Sequence, residues 1–549
     1  MEKLKPMLFS TMKHYTKEQF AKDVISGIIV AIIALPLSIA LALASGVTPE
    51  RGIYTAIAAG FVISFLGGSR VQIAGPTAAF ATIVAGIAAE NGMEGLALAT
   101  IMAGIILIIM GLCRMGTLIK FIPYTITTGF TAGIAVTIFI GQIKDFLGLT
   151  VLSEEPLIET MDKLAADFRF LSTINWQAVL VGMVCLLILI FWPKLTDKIP
   201  PSLIAVFAGI AMVKGAHMNV NTIGDLYEIS NKLPGLTLPS VHFSTIQKLL
   251  PDAFTIAILA AIESLLSCVV ADSMVHSHHR SNMELIAQGA GNITSALFGG
   301  IPATGAIART AANIKSGGRT PVAGMVHAIT LLLILVVLMP YAALIPMPTI
   351  AAILFMVAYN MSEWRQFKYL VQTAPKSDIL VLVLTFVLTV LFDLVVAIEV
   401  NMVLAALLFM KRMSDETGIN SWQYIDDEND PDSLHLRTVP KNIRVYEMSG
   451  PLFFGAADKI AAIRTKDFNN CLILRMRSVN AIDATAMHAL EVLFSNCQKN
   501  HVTLIFSHVN EQPLAAMKKS GLYDKVGAEN FCVHIDDALA RGAALEQHH

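Results

Sequence analysis

Two short stretches decide how this sequence is read: Gly67-Gly68-Ser69-Arg70-Val71-Gln72-Ile73-Ala74-Gly75-Pro76-Thr77-Ala78-Ala79 and Gly299-Gly300-Ile301-Pro302-Ala303-Thr304-Gly305-Ala306-Ile307-Ala308. Each is a Gly-Gly turn, a brief extended run, a glycine, and then an alanine-rich helix start. Extended backbone at mid-membrane depth leaves N–H and C=O groups that only protein or a water-filled cavity can satisfy. A helix that begins there has first-turn N–H groups without intrahelical partners, and its end carries about +0.5 of a charge. Pro76 suits the first helical position. Two such ends facing one another make an anion pocket that needs no lysine. A single stretch of this kind would read equally well as glycines that let helices pack closely. A matched pair in corresponding places is a pointer to a transporter's binding site.

Working outward, apolar runs long enough to cross about 30 Å of hydrocarbon start near Val24, Ile53, Met93, Pro123, Trp176, Leu203 and Ala253. Others start near Leu285, Val322, Ile350, Ile379 and Leu394. With the two broken segments, Val71–Ala89 and Ile301–Lys315, the count is fourteen, or two sets of seven. The broken segments are then third and tenth, matching members of two halves. Seven is odd, so the halves insert with opposite orientation. Lys and Arg number eighteen in the loops on the side of the N-terminus. The opposite loops hold seven: Arg51, Lys144, Lys163, Arg169, Lys214, Lys232 and Lys248. That bias places both termini in the cytoplasm, in a multi-pass protein of the plasma (inner) membrane surrounded by lipid.

Composition agrees with a large membrane domain and one soluble domain. The 549 residues are 15% charged, with a mean hydropathy of +0.65, against about 25% charged in soluble chains. Residues 1–410 hold 47 charged side chains and residues 411–549 hold 33. The boundaries read as an N-terminal segment 1–22, a transport domain 23–412, an acidic linker 413–441 and a soluble domain 442–549. A net charge of −2 offers no basic excess for a nucleic-acid partner. The six cysteines lack CxxC spacing, so no disulfide, zinc or redox pair is indicated. No apolar core with a cleavage site precedes residue 22, so no cleaved signal peptide is expected.

Inside the membrane, Glu263 lies in Ala257–Val270, a span otherwise free of charge. A carboxylate there is costly unless a proton or cation neutralises it. Ser267, four residues on, shares its helical face, and the two could bind a coupling proton or Na⁺. A structural carboxylate tied to Arg309 or to backbone donors is the plainer reading. Arg309, one turn past Gly305, either adds positive potential to the pocket or balances Glu263. Asp393 and Glu399 flank a short turn, and His276-Ser277-His278-His279-Arg280 reads as a hydrated loop rather than a metal site. His327 reads as a hydrogen-bonded packing residue. No Gly-Lys dipeptide exists for a Walker A loop, nor is there a His-Glu-x-x-His or Gly-x-Ser-x-Gly motif. The chain is expected to be no enzyme, with no cofactor and no metal.

The soluble end alternates strands and helices: strand Ile443–Met448, helix Ala456–Thr465, strand Cys471–Met476, helix Ala484–Cys497, strand Val502–Ser507, helix Gln512–Ser520 and strand Phe531–Ile535, then a terminal helix. That order describes a small α/β domain without catalytic residues, a regulatory or assembly module.

The whole chain resembles the SulP (sulfate permease) family of anion transporters. The resemblance rests on Ile33-Ala34-Leu35-Pro36-Leu37-Ser38-Ile39-Ala40, Gly67-Gly68-Ser69-Arg70 through Gly75-Pro76-Thr77, Ala261-Ile262-Glu263-Ser264-Leu265-Leu266, Gln288-Gly289-Ala290-Gly291-Asn292 and Gly317-Gly318-Arg319-Thr320. The soluble end resembles a STAS domain at Asn480-Ala481-Ile482-Asp483-Ala484-Thr485. The resemblance implies core and gate domains built from two inverted seven-helix repeats, a homodimer, and an elevator-like movement of the core. It implies a small-anion substrate and leaves room for a cytoplasmic protein partner at the STAS domain, where Thr485 stands at a position that STAS relatives in signalling can phosphorylate. Thr77, Ala78, Gly305, Ala306 and Ile307 match anion-site positions, Glu263 and Ser267 cation-coupling positions, and Pro36 and Leu41 pocket-lining positions. Leu37 stands where many members have glutamine, a departure that points away from sulfate, and Glu263 stands where Na⁺-users often have aspartate, which points to protons. The Ala-Ile-Glu-Ser and Ala-Ile-Ala-Arg-Thr-Ala-Ala-Asn stretches are most similar to bacterial C4-dicarboxylate-type members. The expected activity is therefore proton-coupled symport of a succinate- or fumarate-like dicarboxylate, with a sulfate or bicarbonate symporter as the alternative. A passive anion channel, or a membrane receptor signalling through the STAS domain, would use the same scaffold.

Overall fold

The computed structural model describes residues 4–117, 123–151, 159–196, 199–230, 232–240, 243–391, 394–421, 443–453, 455, 457–463 and 471–546. They fall into two compact units, Met1–Val403 and Leu404–His549. Lys120, Lys198, Asp393 and the acidic run 426–432 lie outside the described residues, as does the side chain of Glu399.

The first unit is helical. Its long helices are α1 (Lys17–Ala44), α2 (Pro49–Leu66), α3 (Ala81–Leu112), α4 (Tyr124–Gly141), α5 (Trp176–Leu195), α6 (Pro201–Gly215) and α7 (Phe243–Val275). After these come α8 (Ser281–Leu297), α9 (Ile307–Lys315), α10 (Val322–Ala342), α11 (Met347–Ser362), α12 (Lys376–Leu391) and α13 (Leu394–Glu416), the last running into the second unit. Thr16 starts α1 by accepting a hydrogen bond from the Gln19 N–H at 3.2 Å, so the helix begins inside the segment read as preceding it. Pro49 opens α2 at its first turn, where a missing N–H costs nothing. Within α3, Gly92 sits at φ 66°, ψ −174°, a backbone state that side chains disfavour, and the chain changes direction there. The two arms of α3 are segments three and four, and with α1, α2 and α4–α13 they make the fourteen segments. Among the described residues six helical stretches are long and apolar enough by themselves to cross a membrane, and α9 has only nine residues.

The packing obeys the inverted repeat. The second arm of α3 lies on α8, and α10 lies on α2, so segment four meets nine as eleven meets two. Likewise α4 packs on α12 and α11 on α5, so five meets thirteen as twelve meets six. The first group, α1–α3 with α7–α10, is the core; α4–α6 with α11 and α12 belong to the gate. The α3–α8 contact is backbone to backbone: a Cβ at Gly104 would lie 2.6 Å from the Gly289 carbonyl oxygen, and one at Gly289 2.4 Å from that of Gly104. Gly289→Leu is therefore expected to part the two helices at a cost of about 1–3 kcal/mol or more. Thermal unfolding in detergent would measure it, with Gly235→Leu, which meets nothing within 4 Å, as the neutral control.

Asp23, fully buried near the start of α1, ties that helix to the Gly317–Thr320 loop. Its carboxylate accepts hydrogen bonds from the Arg319 N–H (2.8 Å), Thr320 Oγ1 (2.6 Å), Tyr15 Oη (2.9 Å) and Gln19 Nε2 (2.9 Å). The Tyr15 hydroxyl titrates higher than usual through burial and this bond to Asp23.

The second unit holds one sheet of order β3-β4-β5-β6-β7: β3 (Gly418–Ser421), β4 (Ile443–Ser449), β5 (Cys471–Ser478), β6 (Thr503–Ser507) and β7 (Phe531–Cys532). Strands β4 to β7 pair in parallel, joined by helices α14 (Ala457–Ala461), α15 (Ala484–Lys499) and α16 (Glu511–Ser520). Central β5 is buried on both faces through Met476, as a parallel strand covered by helices must be. Asp483 caps α15 by accepting from the Ala486 N–H at 2.8 Å. Three expectations change. The helix expected over Ala456–Thr465 ends at Ala461, with residues 456, 464 and 465 outside the described ones. Strand β3 arises within the stretch read as linker and pairs antiparallel with β4, and β7 ends at Cys532 because Ile535 already opens the terminal helix α17 (Ile535–Glu546).

Candidate functional site

The two broken segments meet. Ala74–Gly75 (β1) and Thr304–Gly305 (β2) form an antiparallel two-residue ladder, Ala74 opposite Gly305 and Gly75 opposite Thr304. The Ala306 N–H extends it by donating to the Ile73 carbonyl at 2.9 Å. Antiparallel pairing of two repeat-related stretches, each followed by a helix, sends α3 and α9 away in opposite directions. Buried side chains satisfy the rest of this irregular backbone. Thr310 Oγ1 accepts from the Ile73 N–H (3.0 Å), Asn313 donates to the Val71 carbonyl (2.8 Å), and Asn292 bonds both the N–H and C=O of Ala303 (2.8 and 2.9 Å). Without these partners, extended chain at this depth would not be tolerated.

Glu263 on α7 stands at this crossing. Its Oε2 accepts from Thr77 Oγ1 at 3.0 Å and from Thr304 Oγ1 at 2.9 Å, one hydroxyl from each half of the repeat. The neighbouring Ser264 Oγ accepts from the Gly305 N–H at 3.1 Å. Ser267 turns elsewhere: its hydroxyl meets Thr310 Oγ1 at 3.5 Å. The shared face expected for Glu263 and Ser267 holds, but their partners differ. Ala306, Ile307 and Thr77 keep access to solvent, whereas Ala78, Gly305 and Thr304 are buried. Segment three opens with a tight 3₁₀ turn, Ala78–Phe80, before α3 proper.

Arg309 is 1% exposed. Its Nη2 donates to the Pro76 carbonyl at 3.1 Å, and the guanidinium lies against Gly75, where a Cβ would sit 2.2 Å from Nη1. Its Nε and Nη1 have no partner among the described residues, and no carboxylate there pairs with it. Of the two readings of Arg309, an ion pair with Glu263 is absent. The arginine instead lies behind β1 as a positive charge without an acidic partner among the described residues.

Pro36 lies inside α1 and is buried; Leu41 is 2% exposed within the apolar core. His327 corrects an expectation: it is fully buried, yet neither ring nitrogen finds a hydrogen-bond partner among the described residues. The His276–Arg280 turn is pinned by Asp272, whose Oδ2 lies 2.7 Å from both the N–H and Nδ1 of His279, with Ser281 Oγ 3.0 Å from Nε2. His276 and His278 are exposed, as in the loop expected.

Sequence reasoning missed Thr304, Ser264, Thr310 and Gln72. Gln72 occupies the face of Gly305, where a Cβ would fall 1.4 Å from its Nε2, and it accepts from the Cys268 thiol. The signal for Thr304 was present: it is a hydroxyl residue next to the paired glycine. Nothing local marks Thr310.

Residues 20–385 match the Sulfate permease family and residues 436–538 the STAS domain. The chain belongs to the sulfate permease family, a family of multi-pass membrane transporters. Several relatives span nearly all of it. "Putative sulfate transporter YvdB" of Bacillus subtilis (strain 168) is 40% identical, covering 96% of this chain and 98% of its own. "Bicarbonate transporter BicA" of Picosynechococcus sp. (strain ATCC 27264 / PCC 7002 / PR-6) is 31% identical, covering 94% of each. Among solved structures, the overall structure of SLC26A9 matches with a TM-score of 0.87 at 19% identity, covering 99% of this chain and 94% of that one, a likeness of fold. The transmembrane domain of a cyanobacterial BicA matches with a TM-score of 0.63 at 30% identity over 71% of this chain and 98% of that one. The names these relatives carry are those of sulfate and bicarbonate transporters, not of dicarboxylate carriers, so the dicarboxylate reading gives way to its alternative.

Proposed function

We propose that this protein is a secondary active importer of a compact inorganic oxyanion, sulfate foremost, moved together with a proton carried on Glu263. The observation that carries the reading is the pair of hydrogen bonds from Thr77 and Thr304 to Glu263 Oε2, which sets one carboxylate at the crossing of both repeats. The anion is held by the helix starts at Thr77–Ala78 and Gly305–Ile307, with Arg309 behind them.

A charge count favours coupling. Arg309 contributes +1, the two helix starts about +0.5 each, and Glu263 −1 when ionised. With Glu263 protonated the pocket carries about +2 and matches a divalent anion. With Glu263 ionised it carries about +1 and matches bicarbonate, which is the second reading and is supported by the likeness to BicA. A neutral, fully loaded core crosses the low-dielectric barrier between the two sides, while a half-loaded one bears an uncompensated charge. The movement is of the elevator type, core against gate, in a homodimer of the inner membrane with both termini cytoplasmic. The STAS domain meets a cytoplasmic partner.

Radiolabelled uptake into liposomes tests this, comparing sulfate, bicarbonate and succinate under imposed pH and Na⁺ gradients. Sulfate is expected to accumulate beyond equilibrium when protons flow inward. Movement that never passes equilibrium, with large unitary currents, would make the protein a channel.

A further inference from the structure

A polar cavity is lined by residues outside the Glu263 group. About 540 Å³ in volume, it opens between core and gate and is lined by the end of α1, the first arm of α3 from Ala81 to Met93, the end of α4, Tyr227 and Met347. These are the ends of segments one, three and five that face away from the N-terminus. Its floor at Ala81 and Thr82 is one helical turn from Thr77 and Ala78. Thr82 Oγ1 is buried there with no partner among the described residues. Two lysines reach the same cavity: Lys144 on the short helix Ile143–Leu147, and Lys163 on the helix Thr160–Arg169.

We propose that this cavity is an anion-capture site in which Lys144 and Lys163 hold a compact oxyanion before it descends along α3 to the Glu263 crossing. The inference rests on the transport reading above but concerns separate residues. Opposing charges are close at hand. Asp145 lies 3.9 Å from Lys144 Nζ, and Asp167 stands four residues from Lys163, on the same helical face. Tyr227 faces Asp145. The carboxylates keep the empty cavity near neutrality, so capture strengthens when one of them is neutralised. Burial first, and then the charge of Asp145, push the Asp167 carboxyl up to about 6 against the pull of Lys144 and Lys163. A proton arriving on this face in that range removes a negative charge and leaves the lysines uncompensated.

The test uses the full-length protein in cells, with Cys113, the exposed native cysteine, replaced by Ser and with Ala85→Cys placed in the cavity wall. Negatively and positively charged methanethiosulfonates are applied to the face opposite the N-terminus. The anionic reagent is expected to react about tenfold faster and to be slowed by sulfate or bicarbonate. The preference should disappear in K144Q/K163Q. Acidifying that face from about pH 7 to about pH 5 slows both reagents alike by depleting the thiolate, but should raise the ratio of the anionic to the cationic rate severalfold. That rise should shrink in D167N, which is already neutral there and leaves only Asp145 to titrate. Equal rates for the two reagents, a preference that survives K144Q/K163Q, or a cysteine that never reacts would each overturn the capture site. Labelling does not require transport. An intact charge preference in a protein that moves no anion would therefore count against the transport reading alone.

Discussion

Glu263→Gln abolishes proton-driven accumulation while sulfate counterflow persists. Glutamine keeps the shape of the carboxyl group and an oxygen that can still accept from Thr77 and Thr304, so the contact between the two halves survives. What is lost is the group that takes up and releases a proton in the transport cycle. A gradient of one pH unit is worth about 1.4 kcal/mol per proton, a tenfold accumulation at one proton per anion. That factor should fall to unity in the variant, whereas exchange of labelled for unlabelled anion at equal pH should remain within severalfold of wild type. Glu263→Ala, which also removes the acceptor, should lose both activities. Undiminished accumulation in Glu263→Gln would remove this residue from the coupling step.

The second large effect is expected from Ala306→Glu. Ala306 is the N-cap of α9, partly open to solvent, with its own N–H engaged by Ile73. A carboxylate grafted there competes for the free N–H groups of the first turn and repels the incoming anion. Two unit charges about 5 Å apart at an effective dielectric near 20 repel by about 3 kcal/mol, so affinity should fall on the order of a hundredfold. Direct binding of labelled sulfate to detergent-solubilised protein measures it. Ala306→Gln, of equal bulk without the charge, should retain most of the affinity. If the two variants bind alike, volume rather than charge governs the position; if Glu binds as Ala does, the anion sits elsewhere.

Much of this architecture follows from composition and pattern. Runs of apolar residues mark the spans because only such runs can be left in hydrocarbon. The Gly-Gly stretches betray themselves because close approach of backbone, as at Gly68, and a positive φ, as at Gly299, call for glycine. Glu263 stands out because a lone carboxylate in an apolar span needs a purpose. Strand β3 was not legible. Four residues at a sheet edge carry too little alternation to be seen, and pairing with β4, across more than twenty residues of chain, is what makes them a strand.

The sequence by itself therefore determined the segments, their inverted halves, the two broken helices and the buried acid, all properties of local hydropathy and backbone freedom. Only the tertiary structure decided which groups meet there. Thr304, rather than Ser267, shares Glu263 with Thr77, Ser267 bonds Thr310 instead, and Arg309 stacks behind β1 instead of pairing with the acid. Helical spacing tells which residues share a face, but a single face of α7 touches several neighbours. The partner each side chain finds is fixed by packing among elements far apart in the chain.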